Sequence, residues 1–318
     1  MVEMSKNSLV SIIVPIYNGE QFIDKCMNSI LTQTYQNIEI ICVVNGTTDG
    51  SKKMIENYQM MDKRIVLIET EIGDLGRANN IALNIAKGEW ITFIDIDDWV
   101  TEDYVAVLLS GVNRGYKLCK SNLIFYDGDK NPVGYKELED REVAIHGASW
   151  LMPQRVGGMY HKSLFNKFRY LENSYYEDLA AWPVLIGLAE KIFFVNKPIY
   201  YYNQTNSSSI MSIQDDRHLV IDKVFQFIFD NITESMPKEI NLLITALFIQ
   251  SFWSSNIKIV PSNEAGQDYI RRVKKVVDNR LIGYQSGQGF LYDLSGASKM
   301  LFFILVSVAC MATYDPRF

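Results

Sequence analysis

The chain has 318 residues, 48% of them hydrophobic and 12% aromatic, enough apolar material for one large core or two smaller ones and too much for a disordered protein. A net charge of −6 argues against a nucleic-acid binder held by phosphate contacts. Four scattered cysteines (Cys26, Cys42, Cys119, Cys310) and three histidines (His146, His161, His218), with no CxxC pair, argue against a zinc site and suit free thiols in a reducing compartment.

The opening MVEMSKNSLVSIIVPIYNGE has an apolar run broken by Pro15 and no small-residue cleavage site, so it does not read as a signal peptide. Within it, LVSIIVPIYN is a continuous β-branched run, expected to be a strand buried on both faces and the loop that leaves it. EQFIDKCMNSILTQTY then spaces Phe22, Ile23, Cys26, Met27, Ile30 and Leu31 as one face of a helix. IEIICVV is a second buried strand. The turn NGTTDGS follows, and its Thr48–Asp49 end can cap the helix KKMIENYQMM. RIVLIET is a third strand, GRANNIALNIAKG a third helix with Gly88 as its C-cap, and EWITFIDIDD a fourth strand.

Three strand–helix units in succession predict an α/β fold, a mostly parallel sheet with helices on both faces. Such sheets bind ligands beyond the carboxyl ends of their strands. Pro15–Ile16–Tyr17–Asn18, Asn45–Gly46 and Asp95–Ile96–Asp97 all fall there, so they are expected to converge. Farther on, LCKSNLIFYDGD reads as a short strand before a polar hairpin. NSYYEDLAAWPVLIGLAEK is an acidic entry to an apolar helical run, and KIFFVNKPIYYYNQTNSSSI is a strand or two and a Ser-rich loop.

From about residue 216 the pattern becomes helical. QDYIRRVKKVVDNRLI sets Ile270, Val273, Val277 and Leu281 on one face with Arg271, Arg272, Lys274 and Lys275 beside it, a helix either solvated on its basic side or resting on an anionic membrane. The apolar MLFFILVSVACMATY, residues 300–314, is shorter than the roughly 20 residues that span a bilayer. It reads as a buried core helix or an interfacial one. Two regions follow, 1–215 as an α/β domain and 216–318 as a helical accessory region.

FIDIDDWV, residues 93–100, places three aspartates at the end of a core strand. Adjacent carboxylates repel, so either something cationic visits them or this is an acidic turn at solvent. An EF-hand is excluded, because Val100 and Ala106 stand where that loop needs Gly and Glu.

VSIIVPIYNGEQFIDKCMNSILTQTYQNIEII, NGTTDGS, AKGEWITFIDIDDW and YYEDL, in that order, resemble glycosyltransferase family 2 over residues 8–104 and 158–212. The resemblance implies the Rossmann-like GT-A fold and an inverting, nucleotide-sugar-dependent transferase, a hexosyltransferase that uses most readily a UDP-sugar. The acceptor would be a glycan, lipid-linked or protein-linked, in cell-surface polysaccharide or glycan synthesis. It also implies a Mg²⁺ or Mn²⁺ cofactor with Asp97 as metal ligand, and Asp95 on the ribose or sharing the metal. The cation is what the carboxylates are for: it offsets the charge that builds on a leaving diphosphate. Asp98 serves there or as an N-cap for a helix after Trp99.

Pro15, Tyr17, Asn18, Asn45, Arg77, Asp95 and Ile96 line the donor nucleotide in this reading, with Tyr17 as a stacking ring for the base. Asp178 is the general base that takes the acceptor proton, and Glu177 orients it. Ser208 and Ser209 form a diphosphate lid. The chain is expected to be cytoplasmic, with peripheral contact at the inner membrane face and a homo-oligomer both open and nucleic acid excluded.

Some positions depart from the family. Val44–Asn45 replaces the usual carboxylate pair after the second strand, leaving an amide to read the base. Asn79–Asn80 stands for an Arg-Asn pair, with Arg77 nearby, and Asn203, Gln204 and Thr205 occupy a region where a His or Arg is common. The alternative reading is a weak or inactive relative that binds nucleotide or glycan as a partner subunit. The retained Asp95, Asp97 and Asp178 favour the enzyme.

Overall fold

The computed structural model describes residues 7–128, 139–145, 148, 151, 153–206, 216–241, 243, 244, 247 and 264–276. His146, Ser208, Ser209, Val277, Leu281, Cys310, the tip of the polar hairpin and the apolar run 300–314 lie outside them. The chain forms two compact units. One comprises Met1–Ala144, Gln154–Asn173 and Leu188–Ser209, and the other Ile145–Pro153, Ser174–Gly187 and Ile210–Phe318.

The first unit is built on a sheet. Strands β1 (Val10–Ile16), β2 (Ile38–Asn45), β3 (Ile65–Thr70) and β4 (Trp90–Phe93) alternate with helices α1 (Ile23–Leu31), α2 (Ser51–Met61) and α3 (Leu75–Ile85). All four strands are parallel in the order β3-β2-β1-β4. Every residue of β1 and β2 is buried, which is why those segments read as unbroken apolar runs rather than alternating ones. The sheet continues through β8 (Gly158–His161), β6 (Leu118–Tyr126), β9 (Ile192–Asn203) and β5 (Trp99–Val100), while β7 (Arg141–Val143) pairs with β9. Its long ladders are parallel; the short ones made by β5, β7 and β8 are antiparallel. The mostly parallel α/β architecture is therefore as expected. Helix α4 (Tyr104–Val112) packs on β9, and Ile12, Ile40, Cys42, Leu108 and Val195 share one core.

Three local expectations are corrected. Helix α3 ends at Ile85 with Ala86 as its C-cap, so Gly88 is no C-cap. A Cβ on Gly88 would come within 2.5 Å of the Ser11 amide nitrogen, so the glycine is there to let β1 pass. The N-cap of α2 is Gly50, although Asp49 does accept from the Ser51 N–H at 3.0 Å, one position early. No helix follows Trp99 directly: Trp99 itself opens β5, and α4 starts only at Tyr104, so Asp98 is not its N-cap.

Gly76, on α3, marks where the helix meets the segment Tyr170–Asn173. A Cβ there would stand 2.0 Å from the Leu171 carbonyl oxygen. Gly76→Ala is expected to cost at least about 3 kcal/mol, because backbone rather than a pliable side chain must move. A denaturant midpoint matching that of the wild type would refute the close packing.

In the second unit, α5 (Glu177–Ala189) begins on the acidic pair. Helix α6 (Ile221–Asn231) packs on α7 (Glu264–Val276), with Tyr269 and Val273 buried. Arg272 of the basic stripe reaches Asp222 at 3.2 Å and the Leu219 carbonyl at 3.2 Å, whereas Arg271 stays exposed. No helix among the described residues is long and apolar enough to cross a membrane.

Candidate active site

The carboxyl ends of β1 and β2 open into two loops that are sewn together. Asn18, in the left-handed region at φ 46°, accepts the Thr48 N–H at 2.8 Å and donates its own N–H to Thr47 Oγ1 at 3.3 Å. Asparagine tolerates that backbone better than most residues. Glu20 is bonded to the other loop twice: its side chain accepts the Gly50 N–H, and its own N–H donates to the Asp49 carboxylate. Pro15 lies within β1, one residue before its end. Tyr17 projects from this seam, 60% exposed, with its ring over Gly73. An exposed aromatic face at a strand end is a ready platform for a planar ligand.

Asn45 is buried, and its Oδ1 accepts the Asp74 N–H at 3.3 Å. Asp74 in turn caps α3 through the Arg77 N–H and takes the Asn173 N–H at 2.8 Å. The Asn45 amide oxygen thus links the end of β2 to the start of α3. Arg77 faces Glu172 at 3.7 Å, and Glu172 also receives Asn80.

Beyond β4 the chain makes a tight turn, with the Asp98 N–H donating to the Asp95 carbonyl at 3.0 Å. Ile96 is buried against Gly19, where a Cβ would come within 2.8 Å of its side chain. That contact turns Asp95 and Asp97, both half-buried, away from the core. The third aspartate behaves differently. Asp98 is 2% exposed and accepts from the Tyr200 hydroxyl at 2.5 Å and the Asn203 N–H at 2.7 Å. Burial, and then the charges of Asp95 and Asp97, push its carboxyl well above the usual range. Asp98 is a fastener between the turn and β9.

Asn203 donates its side chain to the Asp97 carbonyl at 3.1 Å, and Asn206 donates to Asp97 Oδ2 at 2.9 Å. Asp95 is ion-paired with Arg155, whose side chain is only 2% exposed. Arg155, Tyr200, Asn203 and Asn206 were not legible as site residues. Apart from the family position already noted for Asn203, their sequence signal is polar atoms set among apolar or aromatic neighbours, in QRVGG and YYYNQTN.

Among the described residues no cluster of three or more His, Cys, Asp or Glu side chains surrounds a common point. The donor chemistry nevertheless fits a hard divalent cation. Mg²⁺ keeps several waters and is held by one or two carboxylates together with substrate phosphates, and Asp97, with Asp95 beside it, offers that number.

The acidic pair of the second unit opens α5, where Glu177 is buried and Asp178 half-buried, both in the first turn, at the positive end of the helix. Tyr176 just before them has φ 64°, an unfavourable angle for a side-chain-bearing residue. It is held there by its hydroxyl, 2.8 Å from Nδ1 of the buried His218. Tyr176→Phe is expected to lower the stability of this unit by about 1 kcal/mol. Thermal melting of the variant checks this, and an unchanged midpoint would show that the bond does not hold the turn.

Residues 11–175 match the family described as Glycosyl transferase family 2. Glycosyltransferase GlyA of Streptococcus pneumoniae is 31% identical over 67% of this chain, and the match spans 33% of that relative's length. Glycosyltransferase GlyG of the same organism is 31% identical over 66% of the chain and 75% of its own length. The solved structure of S. aureus TarS 1-349 in complex with UDP-GlcNAc shares the fold, with a TM-score of 0.67 at 17% identity, covering 96% of this chain and 91% of that one. The sheet order, the acidic turn after β4 and these matches lead to one conclusion: the chain belongs to glycosyltransferase family 2, has the GT-A fold, and is a transferase enzyme.

Proposed function

We propose that this chain transfers a sugar from a nucleotide-diphosphate sugar, a UDP-sugar first among them, to a hydroxyl of a growing bacterial cell-surface polysaccharide or glycan. Residues 1–215 form the catalytic domain in this reading, and 216–318 serve acceptor, oligomer or membrane-surface contacts. The observation that carries it is the half-buried Asp95–Ile96–Asp97 turn, set at the carboxyl end of β4 in the same sheet whose β1 end presents the exposed Tyr17. UDP-GlcNAc bound by TarS, a protein of the same fold, supports the donor class.

Tyr17 stacks the base, and Asp95 faces the ribose. Asp97, with Asp95 at its side, would hold Mg²⁺ or Mn²⁺, which would supply positive charge against the leaving diphosphate. Asp178 accepts the proton of the acceptor hydroxyl as that oxygen bonds to the anomeric carbon. The carbon–oxygen bond to the diphosphate breaks on the opposite face, and the configuration inverts.

Calorimetric titration with UDP, GDP, CDP and dTDP, each with and without Mn²⁺, tests the donor site. Binding of one nucleotide that needs metal supports the enzyme. Silence with all four would replace it with the partner-subunit reading.

A further inference from the structure

Arg155 sits in a segment that is fastened at every residue. The carbonyls on either side of it, of Gln154 and Val156, both accept from Lys120 Nζ, at 2.7 and 2.6 Å. Its own carbonyl accepts from the Tyr160 hydroxyl at 3.0 Å. The next carbonyl, of Gly157, takes the Ser121 N–H at 2.8 Å and its hydroxyl at 3.1 Å. That of Gly158 takes Thr92 Oγ1 at 2.8 Å, on β4 itself. Gly157 has φ 64°, and a Cβ there would meet Leu123 at 2.6 Å, so no side-chain-bearing residue fits the bend without strain.

Two cations, Lys120 and Arg155, are each 3% exposed here. Burying a charge costs several kcal/mol unless it is well paired. Lys120, on β6, is satisfied by the two loop carbonyls, but a loop that merely connected elements would not carry the buried Arg155. The asymmetry of the ion pair is also informative. Asp95 has a side chain 26% exposed and has water within reach, whereas Arg155 is 2% exposed. Asp95 does not need a buried partner for its own solvation. The guanidinium is held in place to act on the carboxylate.

We propose that Arg155 is a positioning residue of the donor site. It holds and neutralises Asp95, so that Asp97 alone serves as the chain's carboxylate ligand for the divalent cation. This rests on the donor-site reading above. It assigns different work to the two aspartates: Asp95, charge-balanced and rigid, is a hydrogen-bond acceptor for the donor, and Asp97 carries the net charge. It also implies that the cation binds weakly until a nucleotide diphosphate completes its shell, since one carboxylate is a poor cage by itself.

Free Mn²⁺ counted by electron paramagnetic resonance, on the full chain with and without UDP, tests this. With UDP present, Asp97→Asn is expected to weaken Mn²⁺ binding by about 100-fold and Asp95→Asn by less than about threefold, in line with ligand charge setting affinity. Without UDP, Arg155→Met should tighten Mn²⁺ binding by about tenfold by releasing a second carboxylate. The double variant Asp95→Asn/Arg155→Met, which is charge-balanced, should lose that gain. A variant damaged only in its fold would bind less metal, not more. If Arg155→Met does not fold, the comparison of Asp95→Asn with Asp97→Asn decides alone. Equal weakening by those two, or no tightening in a folded Arg155→Met, overturns the role of Arg155. Wild type that takes up no Mn²⁺ with or without UDP overturns the donor-site reading and this inference together.

Discussion

Asp178→Asn is expected to lower kcat by about 10²–10⁴ while leaving nucleotide affinity within a factor of two, the span a positioned general base contributes. The substitution keeps size and removes only the ability to take a proton. Asp178 is half-buried in the first turn of α5, and Glu177 beside it is buried, so Asp178 is the more accessible of the pair. Glu177→Gln should therefore cost less than Asp178→Asn, through orientation alone. Single-turnover transfer to a glycan acceptor, with nucleotide binding followed in parallel, separates the two. An Asp178→Asn enzyme within tenfold of wild type would remove Asp178 from the chemistry.

The second large effect falls on binding. Asp97→Asn should reduce UDP affinity in Mn²⁺ by about 100-fold, on the order of 2.7 kcal/mol, and leave the metal-free affinity as it was. Chelation of the wild type should reproduce the same loss. The cause is local: Asp98 is withdrawn into its contacts with Tyr200 and Asn203, and Asp95 is paired with Arg155, so neither replaces the lost charge. A calorimetric affinity that is insensitive to Asp97 would place the diphosphate elsewhere.

The parallel half of the sheet was readable because β1, β2 and β4 are buried on both faces and α1 on one. β1, β2 and α1 carry that difference directly in their residue order. β5, β7 and β8 were not readable. They have two to four residues, too few for a period to show, and pair antiparallel with strands far away in sequence. Gly88 looked like a helix end because close approach and a left-handed cap select the same residue. Asp98 looked like a cap because nothing in the sequence shows that a tyrosine 102 positions later will hold it.

The separations at the acidic turn have a consequence for the order of folding. β1 pairs with β2 along one stretch of chain, Val10 opposite Ile38, but the groups that hold Asp95 and Asp98 lie 60 and 102–105 residues away. Long chain closures are the slow ones. A nascent chain that has not yet supplied Asn203 has its carboxylates in place with their partners still to come. Donor capture then becomes the last property the molecule acquires during refolding. Pulse-labelling hydrogen exchange should show the Asn203 amide, which donates to Asp98, protected after those of β1 and β2, and simultaneous protection would mean the turn gains its distant anchor as early as the sheet forms.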